Sequence, residues 1–366
     1  MRKWIIRTAA AFVATVLFAF NAYAAPSTYA KSAILMDADT GRVLYAHNID
    51  RRSLIASTTK IMTAVVVLEH CSADTVYTVP AQATNIEGSS IYLKEGEKLT
   101  IRELLYGMML HSGNDAAIAL ALACSDSVPE FVALMNLKAQ KLGLQDTHFD
   151  NPNGLDSETH YSTAADLANL TRYALQNDEF VRIVSTKSIT IGERYLTNHN
   201  KLLWSVEGAI GVKIGYTKAA GRILVSAAER DGRRLIAVTI NDGNDWNDHA
   251  ALYEYGFSCY QPQKIAVSGE IAASIPGLDG GSYPVCFAED KTFPMLPGEK
   301  AKIIVLYPKI AFFAGYFGET AGTAAVMLGS KRIATVRLVW ANREAPHGET
   351  VTENTFRTRS RIQTAG

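Results

Sequence analysis

Three short clusters in the 366-residue chain combine residue types that could transfer an acyl group: Ser57-Thr58-Thr59-Lys60, Ser112-Gly113-Asn114 and Lys213-Ile214-Gly215. Singly each is weak. A Ser-x-x-Lys is expected about once by chance in a chain of this length. Ser112-Gly113-Asn114 alone reads as a helix break, and Lys213 alone as a solvated lysine at a strand edge. Together they describe one chemistry. At the opening of a helix, Ser57 and Lys60 lie one turn apart on the same face, within hydrogen-bonding reach. A serine hydroxyl needs a base to become a nucleophile, and no His–Asp pair is suggested. Lysine can be that base only when neutral. Burial beside a second cation favours the neutral form, because desolvation and like-charge repulsion both act against the ammonium. Lys213, facing the same cleft, would be that cation. Ser112 could relay a proton to the leaving amine, and Asn114 could hold the substrate peptide. The positive helix end also favours the alkoxide and the oxyanion that develop during acyl transfer.

These residues need a scaffold, and the pattern around them supplies one. Ala33–Asp37 and Arg42–Ala46 read as two strands joined by the turn Asp39-Thr40-Gly41. Thr58–His70 reads as a helix, with Ile61, Val65 and Leu68 on one stripe and Ser57 where an N-cap belongs. Arg102–Leu110 is a second helical run, and a third begins at Asn114, rich enough in Ala and Leu to be buried on most faces. Pro129–Leu142 has Pro near its start and Gly143 past its end. Asp150–Thr159 is turn-rich, and Ser162 or Thr163 can cap a helix running to about Asn177. Lys187–Ile191, Ile223–Ala227 and Arg234–Ile240 read as strands, and Asp248–Phe257 as a closing helix. Strands flanking a helical middle indicate an α/β, more strictly α+β, domain. Beyond about Gln261, short β-type runs (Ile265–Ile275, Lys302–Leu306, Thr323–Leu328, Arg332–Val339) indicate a small all-β domain of sandwich type.

The stretch from about Ala30 to Phe257 resembles the low-molecular-weight penicillin-binding proteins of the D-alanyl-D-alanine carboxypeptidase type. The matching segments are Ile55–Ala64 around the first cluster, Gly88–Leu93, Leu110–Ala117 around the second, Asn151–Leu155, His160–Ala164, and Gly221-Arg222 after the third. Their order, spacing and flanks agree over nearly the whole domain. The resemblance implies a serine β-lactamase/transpeptidase-like fold, an antiparallel sheet with helices plus a helical subdomain, followed by the small β domain. It implies Ser57 as nucleophile, Lys60 as its base, Ser112 as proton relay and Asn114 beside it. Lys213 and Gly215 of the third motif would bind substrate, with Lys213 orienting the terminal carboxylate. The backbone N–H groups of Ser57 and Tyr216 would form the oxyanion hole. The implied substrate is the D-Ala-D-Ala terminus of the peptidoglycan stem pentapeptide, with β-lactams as covalent inhibitors and no cofactor or metal.

The sequence departs from the family pattern at position 214. The third motif of the family is Lys-Thr-Gly, whose threonine hydroxyl donates to the substrate carboxylate; Ile214 cannot donate. Weaker binding or slower acylation is the expectation, with Thr217 three residues on as a conceivable substitute donor. Many members of the family also end in an amphipathic helix lying on the membrane. From Arg343 onward there is no apolar stripe for one, and the aromatic-rich 311–317 reads as a buried strand and turn, so membrane contact is left open. Two competing readings differ in class. A class A β-lactamase needs a glutamate to activate the deacylating water, and Glu158 is the nearest candidate. A non-catalytic cell-wall scaffold would have lost activity through Ile214.

Bulk properties frame this reading. Lys and Arg together number 36, as do Asp and Glu, so no net charge calls for nucleic acid or an anionic membrane as main partner. Arg2, Lys3 and Arg7, the apolar Ala9–Phe20 and Ala22-Tyr23-Ala24 form the pattern of a cleaved secretory signal over residues 1–24, an uncleaved anchor being the alternative. Export would place the protein outside the cytoplasm. The expected layout is then 25–258 catalytic, 262–342 β-rich and 343–366 a polar, disordered tail. Export also permits disulfides among Cys71, Cys124, Cys259 and Cys286. A Cys71–Cys124 pair, a Cys259–Cys286 pair and buried free thiols all remain open. The eight histidines show no metal-ligand spacing.

Overall fold

The short apolar run Ser32–Asp37 is buried along its whole length, as a strand covered on both faces must be. It sits inside a five-stranded sheet. The structure, a computed structural model, describes residues 25–278, 280–306 and 318–341. The expected signal segment, the aromatic-rich 311–317 and the tail from Arg343 lie outside them. The chain divides into two compact units between Cys259 and Tyr260.

In the first unit, β1 (Ser32–Asp37) and β2 (Val43–His47) form an opening hairpin, and a 3-10 turn at Ala56–Thr59 leads into α1 (Lys60–His70). The ribbon β3 (Val76–Thr78)–β4 (Lys98–Thr100) precedes α2 (Ile101–Leu110), α3 (Asn114–Cys124) and α4 (Val128–Lys141). Then come α5 (Ala164–Ala174), α6 (Asp178–Ser185), the ribbon β5 (Ser188–Ile191)–β6 (Arg194–Thr197) and the single turn α7 (Leu202–Ser205). Strands β7 (Ala209–Thr217), β8 (Gly221–Arg230) and β9 (Arg233–Ile240) follow, and α8 (Asp245–Cys259) closes the unit. The sheet runs β2-β1-β9-β8-β7, antiparallel throughout, with β7 at one edge. Alternation puts Ile34, Met36, Val225 and Val238 on the face that joins the helical core of α1 to α6. On the other face Leu35, Leu44 and Leu235 meet Gly256 of α8.

Side-chain caps start several helices. Thr100 and Glu103 form a capping box on α2, Ser127 caps α4 ahead of Pro129, and Thr163 caps α5. Two expectations need correction. The helix expected from Thr58 begins at Lys60, because the Thr58 hydroxyl donates to the Ile55 carbonyl (2.6 Å) and that of Thr59 to Ala56 (2.8 Å), holding 56–59 as a tight 3-10 turn. Ser57 therefore lies inside that turn and is not an N-cap. The helix expected to reach Asn177 stops at Ala174, and the Asn177 side chain accepts from the Phe180 N–H (3.1 Å) to start α6.

The second unit contains β10 (Gln261–Ala266), β11 (Ile271–Pro276), β12 (Ser282–Phe287), β13 (Lys291–Met295), β14 (Ala301–Leu306), β15 (Thr320–Leu328) and β16 (Lys331–Trp340). The run expected as one strand over Ile265–Ile275 is broken by a turn at Ser268-Gly269. A five-stranded sheet, β11-β12-β16-β15-β14, buries Ile275, Val285, Val326, Val336 and Leu338. The remaining pair, β10-β13, is a ribbon, so the described residues of this all-β unit form a five-stranded sheet and a ribbon. Cys71 and Cys124 form a disulfide, while Cys259 and Cys286 are free and buried. Among the described residues no single helix is long and apolar enough to cross a membrane.

Candidate active site

The 3-10 turn presents Ser57 half-exposed, while Lys60, the first residue of α1, is fully enclosed. The Lys60 Nζ lies 3.1 Å from Ser57 Oγ, 2.7 Å from Asn114 Oδ1 and 2.5 Å from the Asn153 carbonyl oxygen. Two of these three partners can only accept. The Asn114 orientation is fixed by its other end, whose Nδ2 donates to the Glu87 carbonyl at 2.6 Å. A neutral amine has two N–H groups and one lone pair, so it satisfies both acceptors and turns its lone pair to the Ser57 hydroxyl. Burial and the charge of Lys213 push the Lys60 pKa well below its ordinary value, with Asp115 opposing them. The three contacts suit either protonation state of the amine, and it is the enclosure and the neighbouring charge that favour the neutral one.

Lys213 sits on the edge strand β7 and is 2 % exposed. Its Nζ donates to Ser112 Oγ (3.0 Å) and to the Ile214 carbonyl (2.9 Å), and burial lowers its pKa to about 7. By its sequence setting alone Lys213 is expected to be a solvated strand-edge lysine; it instead turns inward. Ser112 occupies the break between α2 and α3 at φ 65°, and Ala56, just before Ser57, lies at φ 44°. Left-handed backbone at non-glycine residues persists only where the surroundings over-determine it, and it clusters at functional sites. Gly215 brings β7 against the serine turn: a Cβ there would stand 3.2 Å from the Ser57 nitrogen. Tyr216 is exposed. Thr217 lies on the strand face of Lys213 and Gly215, opposite Ile214, and its Oγ1 accepts from the Ala220 N–H (3.0 Å) in the β7–β8 turn. Thr217 therefore does not stand where a threonine at 214 would.

Several supporting residues carried no role in the sequence. Asp115, buried at the start of α3, accepts from Ser90 Oγ (2.6 Å), the Ile91 N–H (3.1 Å) and the Leu93 N–H (3.0 Å), tying the 88–93 loop to the second motif. The 150–160 loop runs against the serine turn and α1. Its Pro152 carbonyl accepts from Thr63 Oγ1 (2.6 Å), and a Cβ on Gly154, at φ 90°, would stand 2.0 Å from the Ala56 oxygen. His160 Nδ1 accepts from the Asp150 N–H (3.1 Å), so its Nε2 carries the hydrogen that faces Thr59 Oγ1 at 2.7 Å. Burial lowers its pKa to about 4. Asp115, Pro152, Gly154 and His160 all fall in segments that carried the family resemblance; what the sequence lacked was their contacts. His199, exposed, lies against His111 with ring centroids 4.6 Å apart and the rings tilted by 51°. A second serine–histidine contact, Ser226–His249 at 2.6 Å, is enclosed with Thr239 and Tyr253 and has no route to substrate. Glu158 is exposed. Among the described residues no group of His, Cys, Asp and Glu side chains could hold a metal ion.

An antiparallel sheet with a helical core beside it, and a serine–lysine pair on a helical turn facing the edge strand, is the architecture of the penicillin-binding serine peptidases. Solved structures of that class match this chain. Penicillin binding protein 5 from Haemophilus influenzae superposes with a TM-score of 0.76 at 28% identity, covering 87% of this chain and 98% of its own. A mutant of the Streptomyces K15 DD-transpeptidase gives 0.61 at 35% identity, covering 64% and 99%. In sequence, the D-alanyl-D-alanine carboxypeptidase DacF of Bacillus subtilis is 36% identical over 260 residues, 67% of each chain. DacD of Salmonella typhimurium is 39% identical over 302 residues, 76% of this chain and 77% of its own. The D-alanyl-D-alanine carboxypeptidase family, Peptidase S11, matches residues 19–244. The chain belongs to this family of serine peptidases.

Proposed function

We propose that the protein removes the terminal D-alanine from peptidoglycan stem pentapeptides through an acyl-enzyme on Ser57. The observation that carries this is the enclosed Lys60 Nζ, 3.1 Å from the Ser57 Oγ and held by two obligate acceptors, the Asn114 Oδ1 and the Asn153 carbonyl. Ser57 Oγ attacks the carbonyl carbon of the penultimate D-Ala as its proton passes to Lys60. The N–H groups of Ser57 and Tyr216 receive the oxyanion. The C–N bond then breaks, and the departing amine of the terminal D-Ala takes its proton by way of Ser112. Water cleaves the resulting ester and restores Ser57. Lys213 supplies positive potential for the substrate's terminal carboxylate from behind Ser112.

Ile214 weakens that grip. A hydrogen bond to a charged group contributes about 1.5–3 kcal/mol, so acylation is expected about ten- to a hundredfold below that of a threonine variant. β-Lactams acylate the same serine in this reading. The basic and apolar first segment supports export, so that the enzyme works outside the cytoplasm at the cell wall. A β-lactamase reading is disfavoured by the exposure of Glu158.

The test is incubation with a fluorescent penicillin, mapping of the labelled residue, and D-Ala release from a pentapeptide. A label on Ser57 that is lost in Ser57→Ala, with D-Ala released, is the expected result. Absence of label would favour the scaffold reading, and clearance of the adduct within seconds would favour a β-lactamase.

A further inference from the structure

The two helices that meet at the base have a second connection. Helix α1 starts at Lys60 and its C-cap is Cys71; helix α3 starts at Asn114 and ends at Cys124. Each has 11 residues, or about 16 Å of rise. Their near ends are joined by the 2.7 Å bond from Lys60 Nζ to Asn114 Oδ1, and their far ends by the Cys71–Cys124 disulfide, with Cα atoms 6.2 Å apart. The two helices, the hydrogen bond and the disulfide therefore make a closed frame. We propose that the Cys71–Cys124 disulfide is a positioning device for the base, fixing the axial register of α1 against α3 and with it the separation of Lys60 and Asn114.

The frame matters because the tolerance at its near end is small. One residue of axial slip moves a helix about 1.5 Å, which would carry a 2.7 Å contact past hydrogen-bonding range. Five of the eleven residues of α3 are alanine (Ala116, Ala117, Ala119, Ala121, Ala123), and small side chains make shallow ridges for a neighbour's grooves, so the disulfide adds to the register that packing and the hydrogen bonds at the near ends set. Axial register also controls what surrounds the amine. The Lys60 Nζ faces Ser57, Asn114 and the Asn153 carbonyl, with Lys213 and Asp115 as the charged groups acting on it. A loosened frame admits water, which relieves the desolvation that keeps the amine neutral.

This inference rests on Lys60 acting as base, and it predicts more than lost stability. The test compares the full-length oxidised protein, the same protein reduced with a phosphine, and C71A/C124A, with thiol content confirmed by mass. Acylation of Ser57 by a fluorescent penicillin is followed from pH 6 to 10, below each form's unfolding temperature. Reduction and the double variant are expected to slow acylation at neutral pH by about five- to fiftyfold, with the rate recovering at higher pH. The Cys71–Cys124 role is overturned if melting temperature falls while the rate and its pH profile stay unchanged, because the bond would then only stabilise the fold. An oxidised protein that is never acylated would overturn this inference together with the assignment of Ser57. The reduced native chain keeps the test decisive if the double variant does not fold.

Discussion

Replacing Ile214 by threonine should repair the third motif, and the structure allows the gain to be bounded. Position 214 lies in the edge strand β7 beside Lys213, half-buried, with Leu224 opposite it on β8. Threonine is β-branched like isoleucine, so the strand keeps its preferred backbone. The lost apolar surface costs about 1 kcal/mol of stability at a half-buried site, too little to unfold the domain. The new hydroxyl would donate to the substrate carboxylate in the field of Lys213. That bond contributes about 1.5–3 kcal/mol, a rise of about ten- to a hundredfold in kcat/KM. Thr217 does not stand where the new hydroxyl would, three residues along the strand, with its oxygen held by the Ala220 N–H in the β7–β8 turn. D-Ala release should be measured for a pentapeptide ending in D-Ala-D-Ala and for the same peptide with its terminal carboxylate amidated. The gain is expected only for the free acid. No gain for the acid, or an equal gain for the amide, would refute the reasoning that residue 214 limits carboxylate binding.

Lys60→Met, which fills the same buried space without a base, should slow Ser57 acylation by about 10²–10⁴; an acylation rate within threefold of native would remove Lys60 from the mechanism. Gly154→Ala places a Cβ 2.0 Å from the Ala56 oxygen at φ 90°, and should lose at least about 2 kcal/mol of stability, together with Ser57 labelling. Unchanged melting and labelling would mean that the 150–160 loop does not support the serine turn. His160 in the folded chain resists protonation down to about 4, whereas unfolded it takes a proton near 6.5. The unfolded state therefore binds the extra proton between those values, and stability falls as pH drops from 6.5 towards 4. The full loss is about 3 kcal/mol. Urea unfolding at pH 7 and 4.5 should show a smaller pH-dependent loss in His160→Gln than in the native chain, and equal losses would contradict a neutral buried imidazole.

Much of the fold was legible because it is written in local pattern. The β1–β2 hairpin, the apolar run of α1, the Ala/Leu-rich α3 and the strands β8 and β9 announce themselves by period and by turn residues. The start of α1 was misread, since Ser57 looks like an N-cap. The two threonine hydroxyls that return to Ile55 and Ala56 turn that stretch into a 3-10 turn, a competition between side chain and backbone that residue type alone does not decide. The β10–β11 region was read as one strand because its turn carries a single glycine amid β-type residues.

Ser57, Lys60, Ser112, Asn114 and Lys213 could be named from the sequence, because their spacing along the chain and the resemblance of their flanks both survive without coordinates. What only the tertiary structure decided is what surrounds them. Lys213 taken alone reads as a solvated edge lysine, and the structure buries it. The third partner of Lys60 is a backbone carbonyl, that of Asn153, which any residue type would offer and no sequence pattern marks. The disulfide pairing among four cysteines was likewise open, and it was settled by the parallel reach of α1 and α3 from the site to Cys71 and Cys124. Sequence records which groups are available at fixed spacings along the chain. The protonation state of a lysine depends on dielectric, neighbouring charge and the count of acceptors around one nitrogen, and these arise only when segments 50 to 150 residues apart pack together.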